Sequence, residues 1–223
     1  MFKFKGISSS DMQVIIQDEE LFKARAAQRI DAIEIDGRDG AIFNEYGYSY
    51  VERPICVQCL NPRRIDDILA WLNGVGELEY DGRVTTARFY NELEPERAAS
   101  IKIIDTQFIR DPFWNKVNDQ YEVVLDTIVN EGNMISRPLI KLEKCINSTI
   151  DITINGTRLK YNFNNDEYVE IDCDKKSVMY EGINRFRNIE IGYDFPKLNA
   201  GSNTIIVNSG DATIKVKKKD RWL

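Results

Sequence analysis

The 223-residue chain contains no histidine, so the side chain that most often serves as a general base or metal ligand is missing. Without histidine, neither a Ser-His nor a Cys-His nucleophile pair can form. The remaining chemistry would have to come from carboxylates, lysines or four cysteines. This composition predicts that the protein is not an enzyme and that it needs neither a metal nor another cofactor.

Cys56 and Cys59 have the C-x-x-C spacing found in zinc and redox sites. The residues around them, 54–60, are typical of a strand, on which positions three apart point to opposite faces. Side chains placed in this way cannot share one ion or close one disulfide. We therefore expect neither kind of site, and we expect Cys145 and Cys173 to be small buried residues.

The acidic run Glu92, Glu94 and Glu96 is the stretch closest to a catalytic carboxylate cluster. A glycosidase needs one acid with a raised pKa that faces a second carboxylate across a cleft. The run lies in a predicted loop without apolar surroundings, which is typical of a solvated surface. A hydrolase that uses paired carboxylates on cell-wall polysaccharide stays an alternative.

Composition and charge indicate a globular protein whose first half is acidic. Hydrophobic residues make up 43% of the chain and charged residues 30%, which excludes disorder. Up to Leu125 there are 15 basic and 22 acidic residues, a net of −7, and after it 15 and 14, a net of +1. Such an acidic first half is not suited to binding the phosphates of nucleic acid.

No apolar run approaches the roughly 20 residues of a membrane span, and the N-terminus lacks a signal-peptide pattern. We therefore expect synthesis and folding in a cytoplasm.

The stretch 130–138 predicts a boundary between two domains. Asn130, Gly132 and Asn133 favour turns, and Pro138 restricts the residue before it to an extended conformation. We therefore expect domains at residues 1–129 and 130–223. The pattern predicts a mainly β fold with one α-helix: an N-terminal domain of α+β or β type, followed by a β-sandwich.

In the first domain the helix is the clearest element. It is expected to begin at Asn61 or Pro62, to bury an i, i+3, i+4, i+7 stripe and to end at Gly74. Trp71 lies beside that stripe, so it either flanks the core or contacts a neighbouring subunit. Residues 41–50 are aromatic and irregular and predict a loop. The expected strands are 12–16, 30–35, 51–60, 77–80, 84–90 and 99–108.

The second domain has alternating apolar residues and frequent turns, which are typical of a sandwich. Asn155-Gly156 predicts a hairpin between the strands at 150–154 and 159–163. A last hairpin is expected from 204–207 and 212–218. Four tyrosines make a carbohydrate-binding adhesion protein an alternative, although the first of them is in phase with core residues: Tyr161, Tyr168, Tyr180 and Tyr193.

The order of these motifs resembles the distal tail protein (Dit) family of long-tailed phages and prophages of Gram-positive bacteria. The resemblance is carried by Asn130-Glu131-Gly132-Asn133 with Arg137-Pro138, by Leu198-Asn199-Ala200-Gly201-Ser202-Asn203, and by Arg221-Trp222-Leu223. In the first half, four segments lie where the N-terminal domain of that family would place such segments: residues 36–40, 70–72, 76–78 and 111–113. The likeness therefore covers the whole chain.

The resemblance implies a structural virion protein at the tail tip, assembled in the bacterial host. Its N-terminal domain would form a ring, usually a hexamer, around a passage for DNA, and its C-terminal domain would be a galectin-like sandwich. The partners would be the tail-tube protein, the tail-associated tip protein and, in some relatives, receptor-binding proteins. The chain has no room for the arms or carbohydrate-binding modules that larger relatives insert. A tail-tube subunit is a further alternative, against which the separate sandwich argues.

A DNA conduit should avoid binding the genome through released counterions, and an acidic lining meets that need. We therefore expect some of five acidic residues to face the passage, without specific DNA binding: Asp66, Asp67, Glu92, Glu94 and Glu96.

Overall fold

The computed structural model describes residues 1–98 and 100–223, with residues 97 and 98 as backbone. The chain forms two compact units. Unit 1 comprises Met1–Val117 with Leu223, and unit 2 comprises Asn118–Trp222. Both units are built mainly from strands, and the described ranges hold a single α-helix, so the mainly β prediction is confirmed.

Unit 1 contains an antiparallel sheet and a separate two-stranded hairpin. The sheet order is β2-β1-β7-β8-β10-β6-β3, with β9 on β10 and β11 on β8. The strands are β1 Phe2–Phe4, β2 Ile7–Ser8, β3 Val14–Ile16, β4 Gln28–Glu34, β5 Ala41–Tyr48, β6 Val51–Cys59, β7 Gly74–Tyr80, β8 Arg83–Phe89, β9 Pro95–Ala98, β10 Ile101–Arg110 and β11 Trp114–Lys116.

Helix α1, Ile65–Trp71, follows a short 3-10 turn at Pro62–Arg64. The Asn61 side chain accepts a hydrogen bond from the N–H of Arg63 and so caps this turn, as expected from Asn at a helix start. Ile68 and Leu72 of the predicted stripe are buried. Within the described ranges, no helix has the length and apolar character needed to cross a membrane.

The core of unit 1 is rich in aromatic rings, whose centroids lie between 5.0 and 6.3 Å from one another in successive pairs. Tilted and edge-on pairs of this kind add stability to the burial of the rings themselves. The participating residues are Phe2, Phe4, Phe22, Trp71, Phe89 and Phe108.

Unit 2 is a sandwich of two antiparallel sheets, with strand orders β12-β22-β14-β17-β18-β19 and β13-β21-β15-β16-β20. One core cluster takes apolar side chains from both sheets. The strands of these sheets are β12 Glu122–Val123, β13 Thr127–Asn130, β14 Leu139–Lys144, β15 Thr149–Ile154, β16 Thr157–Asn162, β17 Tyr168–Asp172, β18 Ser177–Tyr180, β19 Ile183–Asn184, β20 Ile189–Ile191, β21 Gly201–Gly210 and β22 Ala212–Lys217. A last strand, β23 Arg221–Trp222, belongs to unit 2 but to neither of its two sheets.

The two units divide between Val117 and Asn118, whereas the sequence placed the boundary between 129 and 130. Residues 122–123 pair with β22, and residues 127–130 pair with β21, so both segments belong to the sandwich. The expected boundary stretch, 130–138, therefore lies inside unit 2.

Two other local predictions are corrected. Residues 41–48 form a regular strand, β5, which pairs with β4 and is not a loop. β21 and β22 do not form a hairpin, because the chain crosses from one sheet of the sandwich to the other at Gly210-Asp211. The strand predicted at 99–108 begins at Ile101 in the structure, and Ala99 lies outside the described residues.

Candidate interaction surfaces

The hairpin β4–β5, which we call the arm, pairs only with itself among the described residues. Every residue of β4 is exposed, and β5 has no buried residue. An isolated two-stranded hairpin is at best marginally stable in water. The arm is therefore an element that lacks the covering that other strands of this chain receive.

Large apolar side chains occupy both faces of the arm. Ile33 lies opposite Ile42 on one face, and these side chains are 44% and 40% exposed. On the other face Phe43 lies opposite Ala32, with Ile30 two residues away, and Phe43 is 60% exposed. Contiguous exposed apolar surface of this kind is typical of interaction sites. Because both faces carry it, one flat partner surface would cover only half of it.

The base of the arm is fixed to the rest of unit 1. The half-buried ring of Tyr48, at the end of β5, meets Phe113 edge-on with centroids 5.4 Å apart. The N–H of Ser49 donates to the carbonyl of Ala27 at 2.8 Å, just outside the hairpin. The arm thus leaves unit 1 from a defined position.

Arg110, at the end of β10, is buried with 1% of its surface exposed. Its Nε donates to the carbonyl of Phe22 at 3.0 Å, and a terminal nitrogen donates to the carbonyl of Ala24. The other terminal nitrogen contacts the carbonyls of Asp111 and Pro112. Burial lowers the pKa of Arg110 to about 10. The guanidinium thereby fastens the segment before the arm to the end of β10.

Trp71 is 5% exposed and belongs to the core of unit 1. Its indole N–H donates to the carbonyl of Phe4 at 2.8 Å, and its ring stacks on Phe2 with centroids 5.6 Å apart. This packing agrees with the first of the two interpretations drawn from the sequence. A contact between Trp71 and a neighbouring subunit stays a prediction.

The acidic residues expected to line a passage fall on two segments of unit 1. Asp66 and Asp67 lie in the first turn of α1, and both are exposed. Glu92 and Glu94 are exposed between the end of β8 and the start of β9, and Glu96 is exposed on β9 itself, opposite Ile103. Their role as a lining stays a prediction.

The cysteines lie as free thiols. Cys59 is buried and Cys56 half-buried on β6, and burial raises the pKa of each thiol. Cys173 is buried as expected, but Cys145 is exposed after β14, so that prediction is wrong. Within residues 1–98 and 100–223, no group of three Cys, Asp or Glu side chains is arranged to hold a metal ion.

In unit 2, residues of the motif Asn130-Glu131-Gly132-Asn133 hold separate chain segments together. Asn130 is buried, and its amide donates to the carbonyls of Met134 and Leu198 while accepting from the N–H of Gly132. A side chain at Gly132 would collide with the backbone of Arg221, since an added Cβ would lie 2.2 Å from its carbonyl oxygen. Only glycine therefore fits there.

The second stretch works in the same way around Asn203, which is 1% exposed. Its amide donates to the carbonyls of Asn199 and Gly201, at 2.9 and 2.7 Å, and its oxygen accepts from the backbone of Asn199 and the side chain of Asn155. These asparagines satisfy buried backbone groups in turns, which explains why they carry the pattern without any catalytic role.

Residues 131–222 match the family of siphovirus-type tail components, C-terminal domain. The whole chain is similar in structure to the Dit protein (gp 19.1) of phage SPP1, described as a paradigm of the hub adsorption apparatus of phages that infect Gram-positive bacteria. The superposition has a TM-score of 0.73, an identity of 11%, and covers 100% of this chain and 98% of the other. No curated protein sequence matches the chain.

The chain has the fold of a distal tail protein. The resemblance predicted from the motifs is confirmed, as is the prediction of a C-terminal β-sandwich. The structure of this chain also contains the arm and the buried Arg110, neither of which the sequence analysis identifies. Residues 41–48 have high aromatic content, which was the one available signal for the arm.

Proposed function

We propose that the protein is a structural subunit of a phage or prophage tail tip whose copies form a hexameric hub. The hub joins the tail tube to the tip or baseplate and lets DNA pass. It works by assembly and not by catalysis. The distal tail fold supports the general role, and the exposed arm is the observation on which self-association depends.

The arm suits a contact between copies because it is apolar, two-sided and anchored at its base. A neighbouring copy that receives it would cover both faces, which one flat surface could not do. Burial of four large side chains, each worth about 1 to 2 kcal/mol for the exposed part that is lost, is enough to drive association. The same contact, repeated head to tail, closes a ring when the rotation between neighbouring copies returns to the first copy.

The charge of unit 1 supports passage of DNA without retention. Residues 1–117 carry 15 basic and 20 acidic side chains, a net of −5. We propose that some of Asp66, Asp67, Glu92, Glu94 and Glu96 face the passage. Retention of double-stranded DNA by the purified ring at physiological salt would contradict this part of the proposal.

Photo-crosslinking tests self-association through the arm. A benzophenone amino acid placed at Phe43, 60% exposed on the arm, should link two copies when the purified chain is irradiated at high concentration or within assembled tails. Mass spectrometry of the linked peptides then identifies the receiving surface. Native mass spectrometry of the same sample gives the number of copies.

The matched control carries the same photoreactive group at Tyr193, a fully exposed aromatic residue of the sandwich. Linkage from position 43 but not from position 193 supports the arm as the contact. Absence of a linked dimer from position 43 in assembled tails would refute it. A copy number other than six would contradict the proposed hexamer without contradicting the proposed hub.

The remaining partners follow from the same role. We propose that the ring contacts the tail-tube protein on one side and the tail-associated tip protein on the other, and that receptor-binding proteins attach only in an accessory position. The site of action is the virion tail tip, after synthesis in the cytoplasm of the bacterial host. Co-purification of tail-tube and tip proteins with the tagged chain from induced cells would test these contacts.

A further inference from the structure

The sandwich has a cleft of about 640 Å³ that the assembly role does not use. It lies between the loop that follows β16 and the segment from β19 to β20. Its volume is in the range of small-molecule sites. Seven of the eight lining residues are polar or charged, and the eighth contributes an aromatic ring: Asn164, Asn165, Asp166, Asn184, Arg185, Phe186, Arg187 and Asn188.

The inner wall of the cleft is a preorganised ionic network. Asp166 is 4% exposed and accepts a hydrogen bond from the buried Tyr161 hydroxyl at 2.8 Å. The Nε of Arg185 donates to both of its oxygens, at 3.1 and 3.0 Å. Burial and the nearby Asp166 raise the pKa of Tyr161, so the phenol keeps its proton. These contacts hold Asp166 and Arg185 in one position before any ligand arrives.

Arg185 has donor capacity left over. In the part of the chain that the structure describes, it contacts Asp166 through Nε alone, whereas a guanidinium carries five N–H donors. Arg187, two residues later, is exposed, and no described side chain or backbone group pairs with it. With Asp166, the lining has a net charge of +1.

The rim adds amides and a ring. The oxygen of Asn184 accepts from the N–H of Phe186 at 2.8 Å, which leaves the amide nitrogen for a ligand. The amide of Asn165 has no partner among the described residues. Phe186 is 49% exposed, with a partial contact to Phe195 at a centroid distance of 6.2 Å. Planar amides beside an exposed ring provide hydrogen bonds for hydroxyl groups and an apolar platform for a sugar face.

We propose that this cleft binds a saccharide that carries a carboxylate or phosphate group. Phe186 would lie against the sugar ring, the amides of Asn165 and Asn184 would bond its hydroxyls, and Arg187 with Arg185 would pair with the anionic group. The proposal does not depend on ring formation, since every residue of the cleft belongs to unit 2. It also differs from a site built on Tyr161, because that ring is buried.

Calorimetry with the full chain tests the proposal. The probes are three disaccharides: one neutral, built from N-acetylglucosamine, one that contains a glucuronate, and trehalose phosphate. At least one anionic disaccharide should bind about tenfold more tightly than the neutral one, because only its charged group can accept charge-assisted hydrogen bonds from the two arginines. Which of the two binds distinguishes a carboxylate from a phosphate ligand.

Two variants and two matched controls locate the site. Arg187→Ala and Phe186→Ala should each weaken binding by roughly tenfold or more. Arg63→Ala and Tyr193→Ala, exposed residues outside the cleft, should leave it unchanged. A thermal melt of each variant confirms that it is folded, and Asn165→Ala replaces Phe186→Ala if the latter unfolds.

Three results would overturn the proposal. The first is that no probe binds at millimolar concentration. The second is that binding survives both Arg187→Ala and Phe186→Ala in folded protein. The third is that inorganic phosphate alone binds as tightly as the anionic sugars, which would make the cleft a simple anion site without recognition of a sugar.

Discussion

Two hairpins of this chain both carry isoleucines in paired strands but have opposite surroundings. The sandwich hairpin, β15–β16, places Ile150, Ile152 and Ile154 on one face, and all three are at most 1% exposed. The arm also carries isoleucines in paired strands, but those at 33 and 42 are 44% and 40% exposed. The residue types are the same, and the difference is whether another sheet covers them.

This difference indicates which part of the molecule is complete by itself. In β15–β16 the burial of apolar side chains already stabilises the fold, so a partner would add little. In the arm the apolar side chains are still exposed to water, so their burial can stabilise an association with a partner. A subunit that assembles with its own copies needs two properties. Its body must fold alone, and it must have an exposed apolar surface that assembly covers.

The largest effect is expected at the base of the arm, from Arg110→Met. The change keeps the long stem but removes every N–H that reaches the four carbonyl groups, which are left buried without these donors. We expect unit 1 to lose about 3 to 5 kcal/mol in free energy of unfolding, measured by urea titration. Arg53→Met, on an exposed residue of β6, is the control and should change stability by less than about 0.5 kcal/mol. Equal losses in both would contradict the anchoring role.

A matched pair of alanine substitutions tests the comparison itself. Ile152→Ala should destabilise unit 2 by about 2 to 5 kcal/mol, because it opens a cavity in a closed core. Ile33→Ala should change the stability of the monomer by no more than about 0.5 kcal/mol. Denaturant unfolding at low protein concentration measures both. A loss of several kcal/mol from Ile33→Ala would show that the arm is already packed within a single copy.

The double variant Ile33→Asp with Phe43→Asp places one charge on each face of the arm. Since burying an unpaired charge is costly, self-association should weaken by about 100-fold or more, while the melting temperature stays the same. Sedimentation equilibrium measures the association. Ile146→Asp, on a side chain 89% exposed in the sandwich, is the control and should associate normally. Undiminished association of the double variant would place the contact elsewhere.

The sequence was sufficient where structure is set by neighbouring residues. Asn155-Gly156 is predictable as a turn because the left-handed backbone it requires is local, and both residues have positive φ in the structure. The motif order also gave the family resemblance. These successes depended on turn chemistry and alternation, which a sequence displays directly.

Long-range features escaped for equally definite reasons. Arg110 bonds to the carbonyls of Phe22 and Ala24, more than 80 residues away, and backbone acceptors leave no trace in residue type. Residues 41–48 do not alternate between apolar and polar types, so they lack the period that identifies β15 in the sequence. Alternation of apolar and polar residues indicates a strand with one buried face, and neither face of the arm is buried.

The smallest expected effect concerns acid stability, and it again separates the two hairpins. Asp151 on β15 is 4% exposed and accepts bonds from the Nε of Arg158, at 3.1 Å, and from Asn208, at 2.9 Å. The Arg158 contact lowers the pKa of Asp151 to about 2, below its ordinary value of 3.8. Because the folded state holds the carboxylate more strongly than the unfolded state, its contribution is present above pH 4.

That contribution should be lost as the pH falls from about 4 to about 2, where Asp151 takes up its proton. Asp151→Asn should therefore be less stable than the parent at pH 6, with a difference that shrinks toward pH 2. Denaturant unfolding at several pH values measures this change. Asp31→Asn, on the exposed arm, removes the same charge and is the matched control for the change in net charge. A parallel pH response in both variants would mean that acid sensitivity reflects overall charge and not the covered hairpin.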